Sequence, residues 1–429
     1  MKVYLSFLGT GNYIPCVYQR PGDANDLDVV KFVQTATRKK FAPNADRTLI
    51  FCTAEATRTH WTALCKEFHE NGLPDPERVD VPNGSDMGQI WEIFQIVSDA
   101  VPEQAEIVFD PTHSFRSLPI IMTVLLNYLS VAKGTRLAGC YYGAFEILGR
   151  AGDVENQFPD PQNRKAPIFD LTAFFRLNDW AQGIQAFERY GVAGRLKELA
   201  SRELAPLLGN PETRTPDVDN LRRLVGNVAK FAENVRSSRL GKIMLYDFPT
   251  EIRARLDAPI QMPSLRPLEP VLRRLEPVFA DYGDKEILNG LHAAQWAYDH
   301  DLVPQGYTLL QETLVSHYTA LLNQDLAGLK TPKDKRVFVS DVLGWNRKEK
   351  WTKENPALAA AIRDRIGMEV IGKYQSLKEG RNDINHGGTT DQATGSEQLR
   401  NGLKKALDYF LANQAKLVLG SPSAPPDPQ

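Results

Sequence analysis

The first 170 residues alternate short apolar runs with segments of helical periodicity. Continuous apolar strands separated by helices are typical of a parallel sheet covered on both faces. The pattern therefore predicts a Rossmann-like α/β domain over residues 1–170. Five apolar runs have the length of strands: Lys2–Leu8, Arg47–Cys52, Glu106–Phe109, Leu137–Phe145 and Pro167–Phe169.

After Asp170 the apolar residues recur every three to four positions, which predicts an all-α C-terminal domain over residues 171–419. The polar segment Gly149–Ala166 is expected to be a hairpin or surface excursion, and the charged segment Thr331–Lys353 a loop or short element. The Pro-rich tail, 420–429, is expected to be disordered. Seven segments carry the helical spacing: Leu171–Ala205, Val218–Ser238, Leu268–Tyr282, Lys285–His300, Gln305–Leu322, Asn355–Lys378 and Ser396–Leu417.

Length and composition indicate a soluble protein of two or three domains. The chain has 429 residues, of which 42% are apolar and 24% charged. The formal net charge of −2 argues against a protein that coats nucleic acid, because phosphate binding needs a cationic surface. One region differs: Lys330–Gly420 holds 17 Lys and Arg against 11 Asp and Glu, which would help to attract RNA.

Targeting signals and metal motifs are absent from the sequence. The first residues form no signal peptide, and the longest apolar stretch, Leu118–Ala132, is too short and polar to span a bilayer. The four cysteines occur singly, without a CxxC pair, which is typical of a reducing compartment and gives no support to a zinc site. We therefore expect a cytoplasmic protein with no membrane partner, no metal and no cofactor.

A glycine-containing loop follows the first predicted strand. Gly9, Thr10, Gly11 and Asn12 stand where the backbone can approach a ligand and present N–H groups to phosphate. Ile14 occupies the last glycine position of the GxGxxG fingerprint, which disfavours an NAD site. A tight turn with no ligand is the simpler alternative.

A second polar loop follows the Glu106–Phe109 strand. In an open α/β sheet, ligands bind outside the carboxyl ends of the strands. Hydroxyl groups here can bond phosphate or base edges, and an arginine can hold phosphate with two hydrogen bonds. The alternative is an N-capped helix with an incidental arginine. The candidate side chains are Thr112, His113, Ser114, Arg116 and Ser117, with Thr53 and Glu55 at the same rim.

The helical half contains one candidate for catalysis, the run Arg381–His386. Arginine is permanently charged and histidine titrates near neutrality, so together they can transfer protons and stabilise a crowded phosphate without a metal. The Gly387-Gly388 pair is expected to end the helix, which would leave His386 at its C-terminus. A solvated helix end is the alternative. Glu312 and His317 could face this helix and are expected to be structural.

The two N-terminal loops, GTGNY and DPTHSFRSLP, resemble the CRISPR-associated proteins named for a DxTHG motif, although Ser114 stands where that family usually has glycine. The resemblance continues through Phe169-Asp170-Leu171 and from Trp180 to Tyr190. Those proteins carry a CARF domain, a Rossmann-like sensor of cyclic oligoadenylate. The resemblance implies this ligand as allosteric activator, with contacts from Gly9, Thr10, Gly11, Asn12, Thr53, Glu55, Thr112, His113, Ser114, Arg116 and Ser117.

The form RNDxxH behind a CARF-like half is similar to the HEPN ribonuclease motif. It implies a homodimer, or a higher even-numbered oligomer, that cuts single-stranded RNA in the type III CRISPR antiviral response once the ligand binds. His386 would transfer a proton, Arg381 would contact the phosphate and Asn382 would orient one of them.

Two other functions stay open at this point. The sensor half could cleave its own cyclic ligand, with Thr10, Thr112, Ser114 and Arg116 placing the 2′-hydroxyl. The chain could also be a non-catalytic nucleotide-sensing regulator.

Overall fold

A computed structural model describes residues 1–20, 28–113, 118–263, 265–344, 354–389 and 393–419. The chain divides into two compact units, Met1–Arg176 and Leu177–Gln429. The division falls inside the helix Thr172–Tyr190, a few residues beyond the boundary that the sequence suggests. The assignment of a sensor to residues 1–170, an effector to 171–419 and a tail to 420–429 stays a prediction. The tail lies outside the described residues.

The N-terminal unit is built on one mixed, mostly parallel sheet, with eight strands among the described residues. The order across the sheet is β3-β2-β8-β7-β6-β1-β4-β5, with β1 parallel to both of its neighbours. The strands are β1 (Lys2–Leu8), β2 (Cys16–Gln19), β3 (Val29–Val30), β4 (Arg47–Cys52), β5 (Glu77–Asp80), β6 (Glu106–Asp110), β7 (Arg136–Gly143) and β8 (Lys165–Asp170).

Helices cover both faces of this sheet, as the apolar strands predict. Successive residues of β1 alternate between two cores, with Tyr4 on one side and Leu5 on the other. The first core packs against α1 and α3, and the second against α4 and α5. The helices of this unit, the last of which continues into the second, are α1 (Val33–Phe41), α2 (Ala54–Ala56), α3 (Thr62–Glu70), α4 (Met87–Ala100), α5 (Leu118–Ala132), α6 (Ala151–Gln157) and α7 (Thr172–Tyr190).

The sheet differs from the expected all-parallel arrangement at one side. β8 runs antiparallel to β7, and β2 runs antiparallel to β3. An antiparallel neighbour needs no crossover connection. The segment between β7 and β8, expected as a hairpin or excursion, instead contains helix α6 and a 3-10 turn at Pro161–Asn163.

The second unit is all-helical with one apolar core, as predicted. Short 3-10 and π turns connect some of its helices. The helices are α8 (Gly194–Leu199), α9 (Ala205–Gly209), α10 (Pro216–Arg236), α11 (Leu240–Met244), α12 (Ala254–Asp257), α13 (Glu269–Leu272), α14 (Glu276–Phe279), α15 (Asn289–Asp299), α16 (Val303–Leu321), α17 (Pro332–Leu343), α18 (Pro356–Ile366), α19 (Met368–Asn385) and α20 (Ser396–Ala412).

Two helical boundaries correct the sequence prediction. Helix α17 lies in the segment expected as a loop or short element, because the Thr331 hydroxyl accepts from the Asp334 N–H and caps it, and Pro332 suits the first turn. The single helix expected over Asn355–Lys378 is divided at Gly367, whose φ of +90° interrupts the helical path. In the part of the chain that the structure describes, no helix has the length and apolar character needed to cross a membrane.

Candidate functional site

The carboxyl ends of β1 and β6 form the first candidate site. After β1 the chain first forms β2 and β3 at the far side of the sheet. It then returns to place β4 on one side of β1 and later β6 on the other, so the strand order reverses between β1 and β6. Ligands of open α/β sheets bind at such a reversal. The Gly9–Asn12 loop follows β1, and Thr112 and His113 follow β6. Both predicted loops therefore lie at this edge of the sheet.

Asp110, the last residue of β6, is a buried hydrogen-bonding centre. Its Oδ2 accepts from the hydroxyls of Tyr4 (3.0 Å) and Thr37 (2.8 Å). Its Oδ1 accepts from the backbone N–H (2.9 Å) and the hydroxyl (2.5 Å) of Thr112. Burial raises the pKa of Asp110, while the hydrogen bonds from Thr112, Thr37 and Tyr4 oppose that rise. The carboxylate thus joins β1, α1 and the loop after β6.

Thr112 is held on two sides by the protein itself. Its hydroxyl donates to Asp110 and accepts from the backbone N–H of Gly143 at 2.9 Å, at the end of β7. A hydroxyl has one hydrogen to donate, so this one cannot donate to a ligand without breaking an internal bond. These bonds give Thr112 a scaffolding role in the loop, and its contact with a ligand stays a prediction.

His113 packs beneath the Gly9–Asn12 loop. Its ring lies 4.5 Å from the ring of Tyr13 and its Cβ is within 3.3 Å of the place where a Cβ on Gly9 would sit. Burial, together with the neighbouring His60, lowers the pKa of His113 to about 4. Its buried Nε2 has no hydrogen-bond partner among the described residues. His113 is therefore a neutral imidazole with one unused polar atom.

The backbone of the Gly9–Asn12 loop is hydrogen-bonded at its two glycines, whereas Thr10 and Asn12, which could contact a ligand, are exposed. The Tyr13 hydroxyl accepts from the Gly9 N–H at 2.9 Å, and His60 Nε2 lies 2.9 Å from the Gly11 carbonyl oxygen. The side chains of Thr10 and Asn12 are exposed. Sequence analysis missed Tyr13 and His60, because an aromatic and a lone histidine carry no pattern that marks them as loop supports.

Of the remaining candidates for the sensor site, Thr53 and Glu55 lie among the described residues. Thr53 caps α2 by accepting from the Ala56 N–H at 3.2 Å and is buried, whereas Glu55 on the same turn is exposed. Ser114, Arg116 and Ser117 lie outside the described residues.

The Arg381–His386 run lies at the end of α19. The helix ends at Asn385, His386 follows it, and both Gly387 and Gly388 adopt φ of +63°. This left-handed backbone favours glycine and ends the helix, as the glycine pair predicts. The side chains of Asn382 and His386 are exposed, with no hydrogen-bond partner among the described residues. They are therefore open to a substrate.

Arg381 is half-buried, in contrast to Asn382 and His386. Its Nη1 donates to Gln311 Oε1 at 2.9 Å and lies 3.3 Å from Glu312 Oε1, both on α16. Glu312 also pairs with Arg336 of α17 at 2.7 Å. The expected contact of Glu312 with the Arg381 helix is present, whereas His317 bonds the Leu417 carbonyl oxygen at 2.6 Å. The sequence did not indicate Gln311 or Arg336, because ion pairs and hydrogen bonds between distant residues produce no periodic pattern in the sequence.

No cluster of three or more His, Cys, Asp or Glu suited to a metal ion occurs in the described ranges. Cys16, Cys52 and Cys140 are buried, and burial raises the pKa of each thiol to about 12. Cys65 is half-buried and its pKa is raised less. The three buried thiols are protonated at neutral pH, so they are poor nucleophiles and poor metal ligands.

Comparison with known proteins finds similarity both in sequence and among solved structures. No protein-family model matches the chain. It is 24% identical over 265 residues to the CRISPR-associated protein MJ1674 of Methanocaldococcus jannaschii, an alignment that covers 60% of this chain and 36% of that protein's length. Csm6 of Enterococcus italicus, solved bound to cyclic hexa-2'-fluoro-hexa-dAMP, gives a TM-score of 0.44 at 11% identity over 97% of this chain and 95% of that one. The chain is thus similar in sequence to a CRISPR-associated protein.

Proposed function

We propose that the chain is an endoribonuclease of the HEPN type that cuts single-stranded RNA when its N-terminal unit binds cyclic oligoadenylate. It would act in the cytoplasm, in the type III CRISPR antiviral response. The sequence similarity to a CRISPR-associated protein supports this setting. The observation that carries the proposal is the end of α19, where Arg381 is fixed by α16 while Asn382 and His386 stay exposed.

The chemistry needs no metal in this proposal. RNA cleavage by its own 2′-hydroxyl requires a proton to leave that oxygen and another to reach the departing 5′-oxygen, while charge grows on the phosphate. His386 transfers a proton, and its exposed position after the last helical residue leaves the imidazole accessible to the RNA. Arg381 stabilises the phosphate, and Asn382 orients one of these groups or the RNA.

The sensor site is proposed to bind the cyclic ligand at the reversal between β1 and β6. The exposed side chains of Thr10 and Asn12 are the described groups best able to contact it, and His113, whose Nε2 is buried, supports the loop that carries them. Ligand binding activates the enzyme only if the ligand has higher affinity for the cleavage-competent state.

A symmetric dimer is part of the proposal, because a cyclic ligand with two-fold symmetry suits a two-fold assembly. The apolar outer face of α5 supports it. Ile120, Val124, Tyr128 and Val131 are 73%, 59%, 50% and 88% exposed, and no residue of α5 is charged. Exposed apolar stripes of this kind mark interaction surfaces.

The test is cleavage of labelled single-stranded RNA with and without each cyclic oligoadenylate. We expect cleavage with at least one ligand and, in His386→Ala, a loss of at least about a hundredfold in rate with ligand affinity unchanged. Asn385→Ala, the adjacent exposed helix residue, is the matched control and should retain activity. Full cleavage by His386→Ala would disprove the assignment. Chromatography of the ligand in the same reactions shows whether the sensor cleaves it.

A further inference from the structure

Arg381 belongs to a linked group of side chains from three helices, here called the Glu312 cluster: Gln311 and Glu312 of α16, Arg336 of α17 and Arg381 of α19. The two carboxylate oxygens are divided between two cations. Oε1 lies 3.3 Å from Arg381 Nη1, and Oε2 accepts from Arg336 Nη2 at 2.7 Å. The carboxylate therefore bridges two guanidinium groups.

Further hydrogen bonds fix the position of each member. Gln311 accepts from Arg381 through Oε1 and donates through Nε2 to the Tyr374 hydroxyl at 3.0 Å, so its amide cannot rotate freely. Arg336 also donates to the Ser316 hydroxyl at 2.7 Å. Arg381 is thus held by a chain of bonds that runs into the buried Tyr374.

The charges of the cluster do not cancel. One carboxylate faces two guanidinium groups, which leaves a net charge of about +1 for the trio. An Arg381–Glu312 pair alone would present little net charge to a phosphate. Arg336 is the second cation, and its charge offsets that of the carboxylate. The buried Nε of Arg381 has no hydrogen-bond partner among the described residues. Arg336 and Arg381 keep 39% and 26% of their side-chain surface exposed.

We propose that Gln311 and Glu312 are positioning residues that fix the Arg381 guanidinium for the RNA phosphate, and that Arg336 keeps the cluster cationic enough to bind it. This inference rests on the proposed ribonuclease function. It assigns different effects to the central carboxylate and to the outer arginine, Arg336, of one ion-pair chain. Loss of Glu312 disturbs the geometry of Arg381 without removing positive charge, whereas loss of Arg336 removes positive charge without releasing Arg381 from Gln311.

The test compares four variants of the full chain in activator-dependent RNA cleavage. For Arg336→Met, we expect KM for RNA to rise about tenfold with kcat little changed, and the slope of log kcat/KM against log salt to become shallower by about one. Arg336→Lys should restore both values. For Glu312→Gln, we expect kcat to fall about tenfold with KM unchanged or lower. The control is Glu233→Gln, which breaks the exposed ion pair with Lys197 in the same unit.

The outcomes separate this inference from the function on which it rests. One result would refute the inference and leave the proposed function standing. In that result, wild type cleaves RNA and His386→Ala does not, while Arg336→Met and Glu312→Gln behave like the control Glu233→Gln. Parallel changes in kcat and KM in both variants, with an unchanged salt slope, would indicate a purely structural role and also overturn it. Absence of cleavage in wild type overturns both. Where Arg336→Met does not fold, as judged by circular dichroism, Arg336→Gln replaces it.

Discussion

The two candidate sites use their polar groups in opposite ways. At the end of β6, Asp110 and the hydroxyl of Thr112 are hydrogen-bonded within the protein. At the end of α19, the side chains of Asn382 and His386 are exposed and have no hydrogen-bond partner among the described residues. A recognisable run of polar residues can therefore build a scaffold in one place and present reactive groups in another. Burial and hydrogen bonding distinguish the two cases, and residue identity does not.

The largest effect expected from this comparison is on stability. Asp110→Ala removes a buried acceptor of Tyr4 and Thr37 and leaves the backbone N–H and hydroxyl of Thr112 without their acceptor, so the free energy of unfolding should fall by about 3 kcal/mol or more. His386→Ala should change it by less than about 0.5 kcal/mol, because its side chain is exposed. Thermal unfolding followed by calorimetry and circular dichroism measures both. Equal effects of the two substitutions would contradict the comparison.

The second prediction concerns the apolar face of α5. Val124→Glu places a charge in the stripe proposed as the dimer surface, and burying that charge should weaken self-association at least about tenfold. Analytical ultracentrifugation measures the change. His69→Glu, at an exposed position of α3 on the opposite face of the sheet, is the control. A Val124→Glu protein that dimerises like wild type would place the interface elsewhere.

The third prediction follows from His113. Burial lowers its pKa to about 4 in the folded chain, whereas an unfolded histidine titrates near about 6.5. Between these two pH values the unfolded chain therefore binds more protons than the folded chain. The contribution of His113 to the free energy of unfolding is fully present above about pH 6.5 and is lost as the pH is lowered to about 4, by an amount on the order of 2 kcal/mol. Denaturant titrations across this range measure it. His113→Gln should remove this part of the slope, and an unchanged slope would refute the assignment.

The smallest predicted effect is the difference in stability between alanine substitutions at Gly9 and Gly11 of the Gly9–Asn12 loop. A Cβ on Gly9 would lie 3.3 Å from the Cβ of His113 and from the Tyr13 hydroxyl, whereas a Cβ on Gly11 meets no atom within 4 Å. Gly9→Ala should cost about 1 kcal/mol and Gly11→Ala close to none. If the ligand approaches the loop backbone, Gly11→Ala should still reduce its affinity in isothermal titration calorimetry. Equal stability losses would contradict the packing described here.

The fold was predictable where burial leaves a periodic pattern. The apolar runs of β1, β4 and β6 are buried on both faces, and the helices of the second unit carry apolar stripes. The edge strand β5 was missed because its residues, Glu77–Asp80, are largely exposed and polar. β3 has two residues, too few to form a pattern.

The candidate sites were predictable only as residues, not as contacts. Glycine loops, a DxTH run and RNDxxH are visible in the sequence. The bonds of Thr112 to Asp110 and Gly143, and of Arg381 to Gln311, join residues between 2 and 70 positions apart. The bonds to Gly143 and Gln311 depend on tertiary packing, so the participation of Gly143, Gln311 and Arg336 emerged only from the structure.

The burial of the cysteines has a practical consequence for experiments on this protein. Thiolates react with maleimide dyes and oxidants, and protonated thiols inside a core do not. Cys16, Cys52 and Cys140 are shielded in this way, which leaves Cys65 on α3 as the accessible position. A single fluorophore can therefore be attached to the N-terminal unit of the natural sequence. Labelling at this position needs no cysteine replacements.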